Sequence, residues 1–122
     1  MKINFKRVDH VQLTIPKDSE GIARKFYSGV LGLEEIEKPD SLKASGGAWF
    51  KIADAELHLG IEENQTKTKS HPAFEVENLN SIKVHLIQNG MTVKEETPIT
   101  GRKRFSFRDP FGNKIEFLEY LL

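Results

Sequence analysis

The chain has 122 residues, no Cys, and 18 Lys and Arg against 18 Asp and Glu, so its formal net charge is zero. That length suits one domain with its own core. The lack of Cys excludes disulfides and thiolate metal sites, and the balanced charge argues against a nucleic-acid binder that relies on phosphate neutralisation.

The opening MKINFKRVDH carries no apolar run fit for a signal peptide, and no later run is long enough to cross a membrane. The expectation is a soluble cytoplasmic protein. Residues 8–15, VDHVQLTI, alternate: Val11, Leu13 and Ile15 share one face, and Val8, His10, Gln12 and Thr14 the other. Pro16 ends this strand, since it donates no ladder hydrogen bond. Asp18 or Ser19 is placed to cap the helix that follows. Ile22, Phe26 and Val30, with Ala23 and Leu31, give that helix an apolar stripe, and Gly32 is its stop. Residues 33–37 are a short strand and 39–47 a loop. Residues 48–52 and 56–62 pair as strands about Ala53-Asp54. In the second of these, Leu57, Leu59 and Ile61 face one way, and Glu56, His58 and Gly60 the other.

Residues 63–70, ENQTKTKS, lack apolar side chains and are expected to link two halves. The second half repeats the order. Residues 71–77, HPAFEVE, set Phe74 and Val76 against His71, Ala73 and Glu75. Asn78 or Asn80 caps a helix with apolar positions Leu79, Ile82, Leu86 and Ile87, and Asn89-Gly90 ends it. A strand over 91–95 and a loop over 97–102 lead to a closing hairpin over 103–120, turning at Asp109-Pro110-Phe111-Gly112-Asn113. One helix per half among many strands predicts α+β with mostly antiparallel sheet.

His10 falls where His71 falls, and His58 where Glu116 falls. His10, His58, His71 and Glu116 each lie on a strand face opposite the apolar residues. Imidazole and carboxylate together suit a divalent transition metal, which leaves positions open for substrate. A solvated sheet face accounts for any one of them alone; the repetition is what favours a metal. Arg102, Lys103 and Arg104 either hold an anionic substrate or form a solvated strand entry. Trp49, Phe50 and Phe105 line a pocket or belong to the core. Gln12 and Ser106 share the presumed inner face as candidates to orient substrate, with Glu75 as a candidate proton acceptor. His85 receives no role. No nucleophile elbow, P-loop or helix-borne HExxH is present.

With these residues in place, the chain resembles the vicinal oxygen chelate superfamily: glyoxalase I, bleomycin resistance proteins, fosfomycin resistance proteins and extradiol dioxygenases. The resemblance rests on VDHVQLTIP, ARKFYSGVLGLEE, HPAFEVENL and FRDPFGNKIEFLE and covers nearly the whole chain. It implies a single domain of two βαβββ modules, about 5–63 and 70–122, forming cupped sheets around a divalent metal (Ni, Zn, Mn, Fe or Co). It implies His10, His71 and Glu116 as ligands. His58 stands at a fourth position, where glyoxalase I resembles a Glu. An imidazole also moves protons near neutral pH, so Glu116 and His58 are the implied catalytic residues, with Gln12, Trp49, Arg102, Arg104 and Ser106 about the substrate. The implied assembly is a homodimer with its sites at the interface. The implied function is a metal-dependent enzyme acting on a small oxygen-chelating substrate. Its chemistry would be that of a glyoxalase-type isomerase or lyase, of thiol or water addition to an epoxide, or of a dioxygenase. The alternative is a metal-free, ligand-sequestering protein of the bleomycin-resistance type.

Overall fold

The structure, a computed structural model, describes residues 1–65 and 67–122. Thr66, within the stretch expected as a linker, lies outside the described residues. The chain divides into two units, Met1–Glu63 and Asn64–Leu122.

In the first unit, β1 (His10–Ile15), β2 (Glu34–Ile36), β3 (Ala48–Ile52) and β4 (Ala55–Ile61) form one open sheet in the order β1-β4-β3-β2. The β1–β4 pair is parallel and the other two pairs are antiparallel. In the second unit, β5 (Ala73–Glu75), β6 (Val93–Glu95), β7 (Arg102–Arg108) and β8 (Lys114–Tyr120) repeat that arrangement as β5-β8-β7-β6. Again the first pair is parallel and the others antiparallel. The expected α+β class with two repeated modules is present. Each sheet is mixed, because a helix carries the chain from the edge strand across to the far edge, and such a return can enter in parallel.

Period-2 alternation decides which face is apolar. Ile15, Phe50, Leu57 and Leu59 are fully buried in the first unit, and Phe105, Phe107, Ile115 and Leu86 in the second. Phe117 packs edge to face on Phe105 and Phe107 at 6.0 and 4.9 Å, the separation at which aromatic pairs attract beyond their buried area.

The helices depart from expectation in instructive ways. The first, α1 (Glu20–Arg24), widens into a π-helical turn over Lys25–Val30. Leu31 N–H reaches back five residues to the Phe26 carbonyl at 2.9 Å. The wider turn carries Tyr27 fully inward beside Ala23 and Phe26, and leaves Ile22 exposed. Ser19 donates its hydroxyl to the Pro16 carbonyl at 2.5 Å, so neither it nor Asp18 supplies the expected side-chain cap. Neither does Asn78 or Asn80 cap α2 (Leu79–Gln88). There the carboxylate of Glu119, on β8, accepts the Asn78 and Leu79 backbone N–H groups at 3.0 and 3.1 Å. Those two bonds, with Lys103 nearby, hold the Glu119 carboxyl below its ordinary value. Ile87 of α2 is exposed, and Leu79 and Leu86 carry its buried stripe. Part of the stretch expected as a loop, Asp40–Ser45, is a 3-10 helix.

The closing turn is fixed by Asp109, which is buried. Its Oδ1 accepts the Phe111 and Asn113 backbone N–H groups at 2.9 and 2.8 Å, and its Oδ2 accepts the Asn113 side-chain amide. This is an Asx turn enlarged by one bond, and it sets the register of the hairpin that carries Glu116.

Candidate functional site

Strand register places the candidate residues. In the first unit Gln12 of β1 lies opposite His58 of β4, and Trp49 of β3 lies opposite His58 on its other side. In the second, Ala73 lies opposite Glu116, and Ser106 lies opposite Glu116 on its other side. His58 and Glu116 therefore occupy the same position of the repeated sheet. His10 and His71 each stand two residues before the partner of that position.

In the second unit His71 Nε2 lies 3.3 Å from Glu116 Oε1. His71 Nδ1 lies 2.8 Å from the Lys69 carbonyl oxygen. A carbonyl only accepts, so Nδ1 carries the proton, and in the neutral ring Nε2 carries the lone pair, 3.3 Å from a carboxylate oxygen. Two acceptors that close favour a cation beside them: a proton on the ring, a metal ion or a neighbouring guanidinium. Arg104 Nη1 also donates to Glu116 Oε1 at 3.0 Å, while its Nε and Nη2 donate to the Thr97 carbonyl. The Glu116 side chain is 9% exposed and Arg104 18%, so both charges are largely out of water.

In the first unit the corresponding pair makes a stack. The His58 ring lies between His10, at 4.1 Å and 17° between planes, and Trp49, at 3.7 Å and 2°. Its Nε2 is 2.9 Å from Glu56 Oε1, so that nitrogen carries the proton and Nδ1 the lone pair. His10 Nδ1 donates to Asp9 Oδ2 at 2.9 Å, which leaves His10 Nε2 with the lone pair. The bond from His10, with Arg7 alongside, holds the Asp9 carboxyl below its ordinary value. Gln12 lies flat across Gly60: a Cβ on that glycine would stand 2.7 Å from Gln12 Nε2.

Within its own unit, each of the four expected ligands has a near neighbour from the set: His71 with Glu116, and His10 with His58. Among the described residues, no group of three or more His, Cys, Asp or Glu side chains is disposed to hold a metal ion. The pairs differ in fitness for one. Donors bound to one ion at ~2.0–2.2 Å lie roughly 3.0–3.4 Å apart, and His71 Nε2 to Glu116 Oε1 spans 3.3 Å. The Lys69 carbonyl is placed to give His71 the outer hydrogen bond that a metal-bound imidazole would need, and Asp9 is placed to do so for His10. His58 and His10 do not fit as a pair of ligands. Lone pairs lie in ring planes, and two nearly parallel planes a ring thickness apart do not meet at one ion.

The remaining candidates have partners of their own. Arg102 donates to Tyr120 Oη at 2.9 Å and lies over that ring. Ser106, buried, donates to Glu96 at 2.7 Å, and Lys114 lies 3.3 Å from the same carboxylate. Chiefly the Ser106 bond, with Lys114 and Lys94, holds the Glu96 carboxyl below its ordinary value. Phe50 and Phe105 are core, fully buried. Sequence reasoning gave no role to Lys94, Arg108 or Lys114, which line an open cavity with Ser106. Each stands alone in the sequence, and only strand register groups them.

A family model matches residues 7–117, and the chain belongs to the Glyoxalase/Bleomycin resistance protein/Dioxygenase superfamily. Members of that superfamily commonly use divalent metals, bind small molecules and often form dimers. A glyoxalase family protein from Bacillus anthracis is 42% identical, with TM-score 0.93, over 99% of this chain and 100% of that one. The fosfomycin resistance protein FosX from Listeria monocytogenes shares the fold at 18% identity and TM-score 0.78, over 98% of this chain and 97% of its own. Lactoylglutathione lyase from Agrobacterium tumefaciens does so at 20% identity and TM-score 0.75, over 95% of each chain. No curated protein matches the chain. No helix among the described residues is long and apolar enough to cross a membrane.

Proposed function

We propose that this protein is a metal-dependent enzyme acting on a small oxygen-bearing substrate, with His10, His71 and Glu116 as its metal ligands. The supporting observation is the 3.3 Å separation of His71 Nε2 from Glu116 Oε1, with Lys69 fixing the tautomer. Two imidazoles and one carboxylate leave coordination positions for substrate oxygens. A divalent ion held there supplies charge that stabilises an oxyanion or enediolate-like intermediate. Ni, Zn, Mn, Fe and Co all accept this donor set.

His58 has a different part in this reading. Glu56 holds its Nε2–H, so Nδ1 is the atom that would accept or return a proton. Trp49 and His10 fix the ring from both faces. The reading places Gln12 and Ser106 about the substrate and includes a homodimer. Isomerase or lyase chemistry of the glyoxalase type comes first, and thiol or water addition to an epoxide second. FosX and lactoylglutathione lyase share this fold, which is compatible with either.

A second reading, a metal-free protein that sequesters a ligand, is favoured by Arg104. Its guanidinium already supplies a cation to Glu116 at 3.0 Å. Elemental analysis of protein purified without chelator or metal-affinity resin separates the two. The enzyme reading expects about one divalent ion per chain, lost in Glu116→Ala. No metal in the wild type, even after adding Ni, Mn, Zn or Fe(II), supports the second reading and overturns the first.

A further inference from the structure

Glu116 Oε1 is claimed twice in the second unit. His71 Nε2 lies 3.3 Å from it, and Arg104 Nη1 donates to it at 3.0 Å. The oxygen beside the imidazole nitrogen is thus the one that the guanidinium holds. Arg104 reaches it from β7, where its Nε and Nη2 also donate to the Thr97 carbonyl at 3.1 and 2.9 Å. That carbonyl is neutral, so Glu116 is the charged end of the bridge.

The bridge bears on any ion that His71 and Glu116 would share. The Glu116 and Arg104 side chains are both largely out of water, so charges there are weakly screened. A divalent ion brought to an oxygen that already carries a guanidinium meets a like charge and competes for the same acceptor. Whatever the guanidinium contributes to the metal-free protein is then subtracted from the binding of the ion, because such coupling is reciprocal. Arg104 also has somewhere to go. It lines an open cavity of about 230 Å³ whose wall includes Glu95 and Glu96. A displaced guanidinium finds negative charge within that cavity.

We propose that Arg104 is a latch on the metal site: its guanidinium holds Glu116 Oε1 in the metal-free protein and must swing off it, into the cavity beside Glu95 and Glu96, before a divalent ion binds. The latch rests on the reading of His71 and Glu116 as ligands, and adds to it a residue that is not one. Arg104 thereby sets how much free metal the site needs. A residue that merely positioned the carboxylate for the ion would act with the opposite sign, since its removal would weaken metal binding.

The test is calorimetric titration of Zn(II) into chelator-treated protein, with the chelator removed. Wild type is compared with Arg104→Gln, Arg104→Lys, His71→Ala and Lys51→Gln, an exposed lysine of the first unit. The latch predicts about one Zn(II) per chain, bound roughly tenfold or more tighter by Arg104→Gln than by wild type. Binding should be lost in His71→Ala and unchanged in Lys51→Gln. Arg104→Lys keeps a cation without the fork that joins Thr97 to Glu116, so it should tighten binding by a smaller factor, about threefold. It carries the test if Arg104→Gln fails to fold. Equal or weaker binding in the Arg104 variants than in wild type overturns the latch and leaves the metal reading standing. Binding by the Arg104 variants alone supports the latch and overturns the metal reading of the wild type. No binding by any of the proteins overturns both.

Discussion

The two units share strand order, pairing directions and the position of one polar residue on the closing strand, yet that residue is His58 in one and Glu116 in the other. The exchange changes the chemistry around it. An imidazole beside His10 makes a stack, extended by Trp49. A carboxylate lies beside His71 and draws in Arg104 from the neighbouring strand. A duplicated scaffold thus offers two equivalent positions, and residue type decides which joins a stack of rings and which accepts the Arg104 guanidinium.

The scaffold half of that comparison is tested by core truncation. Phe50→Ala and Phe105→Ala remove fully buried rings from corresponding strands of the two sheets. Each should cost ~3–5 kcal/mol in denaturant unfolding. A cost below about 1 kcal/mol in one unit only would break the claim that the two cores are built alike.

A smaller effect sharpens the charge half. Arg104→Gln leaves the Glu116 carboxylate without its guanidinium, and should destabilise the metal-free protein by roughly 3 kcal/mol, the low end for breaking a buried pair. Adding a divalent metal should restore part of that loss, because the ion replaces the missing cation. His58 is not a ligand in the proposed set, so metal should not rescue a His58→Gln variant. Melting curves of both variants with and without metal make the check.

The smallest effect concerns the helix of the second unit. Glu119 is held below the ordinary carboxyl value of 4.5. A carboxyl whose folded pKa is depressed stabilises the fold above its unfolded pKa, and loses that contribution as pH falls through the folded one. Wild-type protein should therefore lose stability below about pH 4.5, and Glu119→Gln should flatten that part of the profile. An unchanged acid limb in the variant would show that the cap carries no linkage.

Much of this was legible in the sequence. Alternation marks the strand faces, and the repeat pairs His10 with His71 and His58 with Glu116 in the sequence alone. What was not legible depends on distant partners. Tyr27 is buried because a five-residue turn rotates the helix, which no apolar spacing announces. Asn78 looks like a cap, but the cap comes from Glu119, some 41 positions later. Arg104 reads as part of a basic run, and only strand register commits it to Glu116. Lys94, Arg108 and Lys114 are scattered along the chain and meet only across three strands.

The most direct measurement is elemental metal content of four single variants, His10→Ala, His58→Ala, His71→Ala and Glu116→Ala, beside the wild type. The account predicts about one divalent ion per chain in the wild type, retained in His58→Ala and lost in the other three. Loss in His58→Ala equal to that in Glu116→Ala, or metal retained in Glu116→Ala, would contradict it.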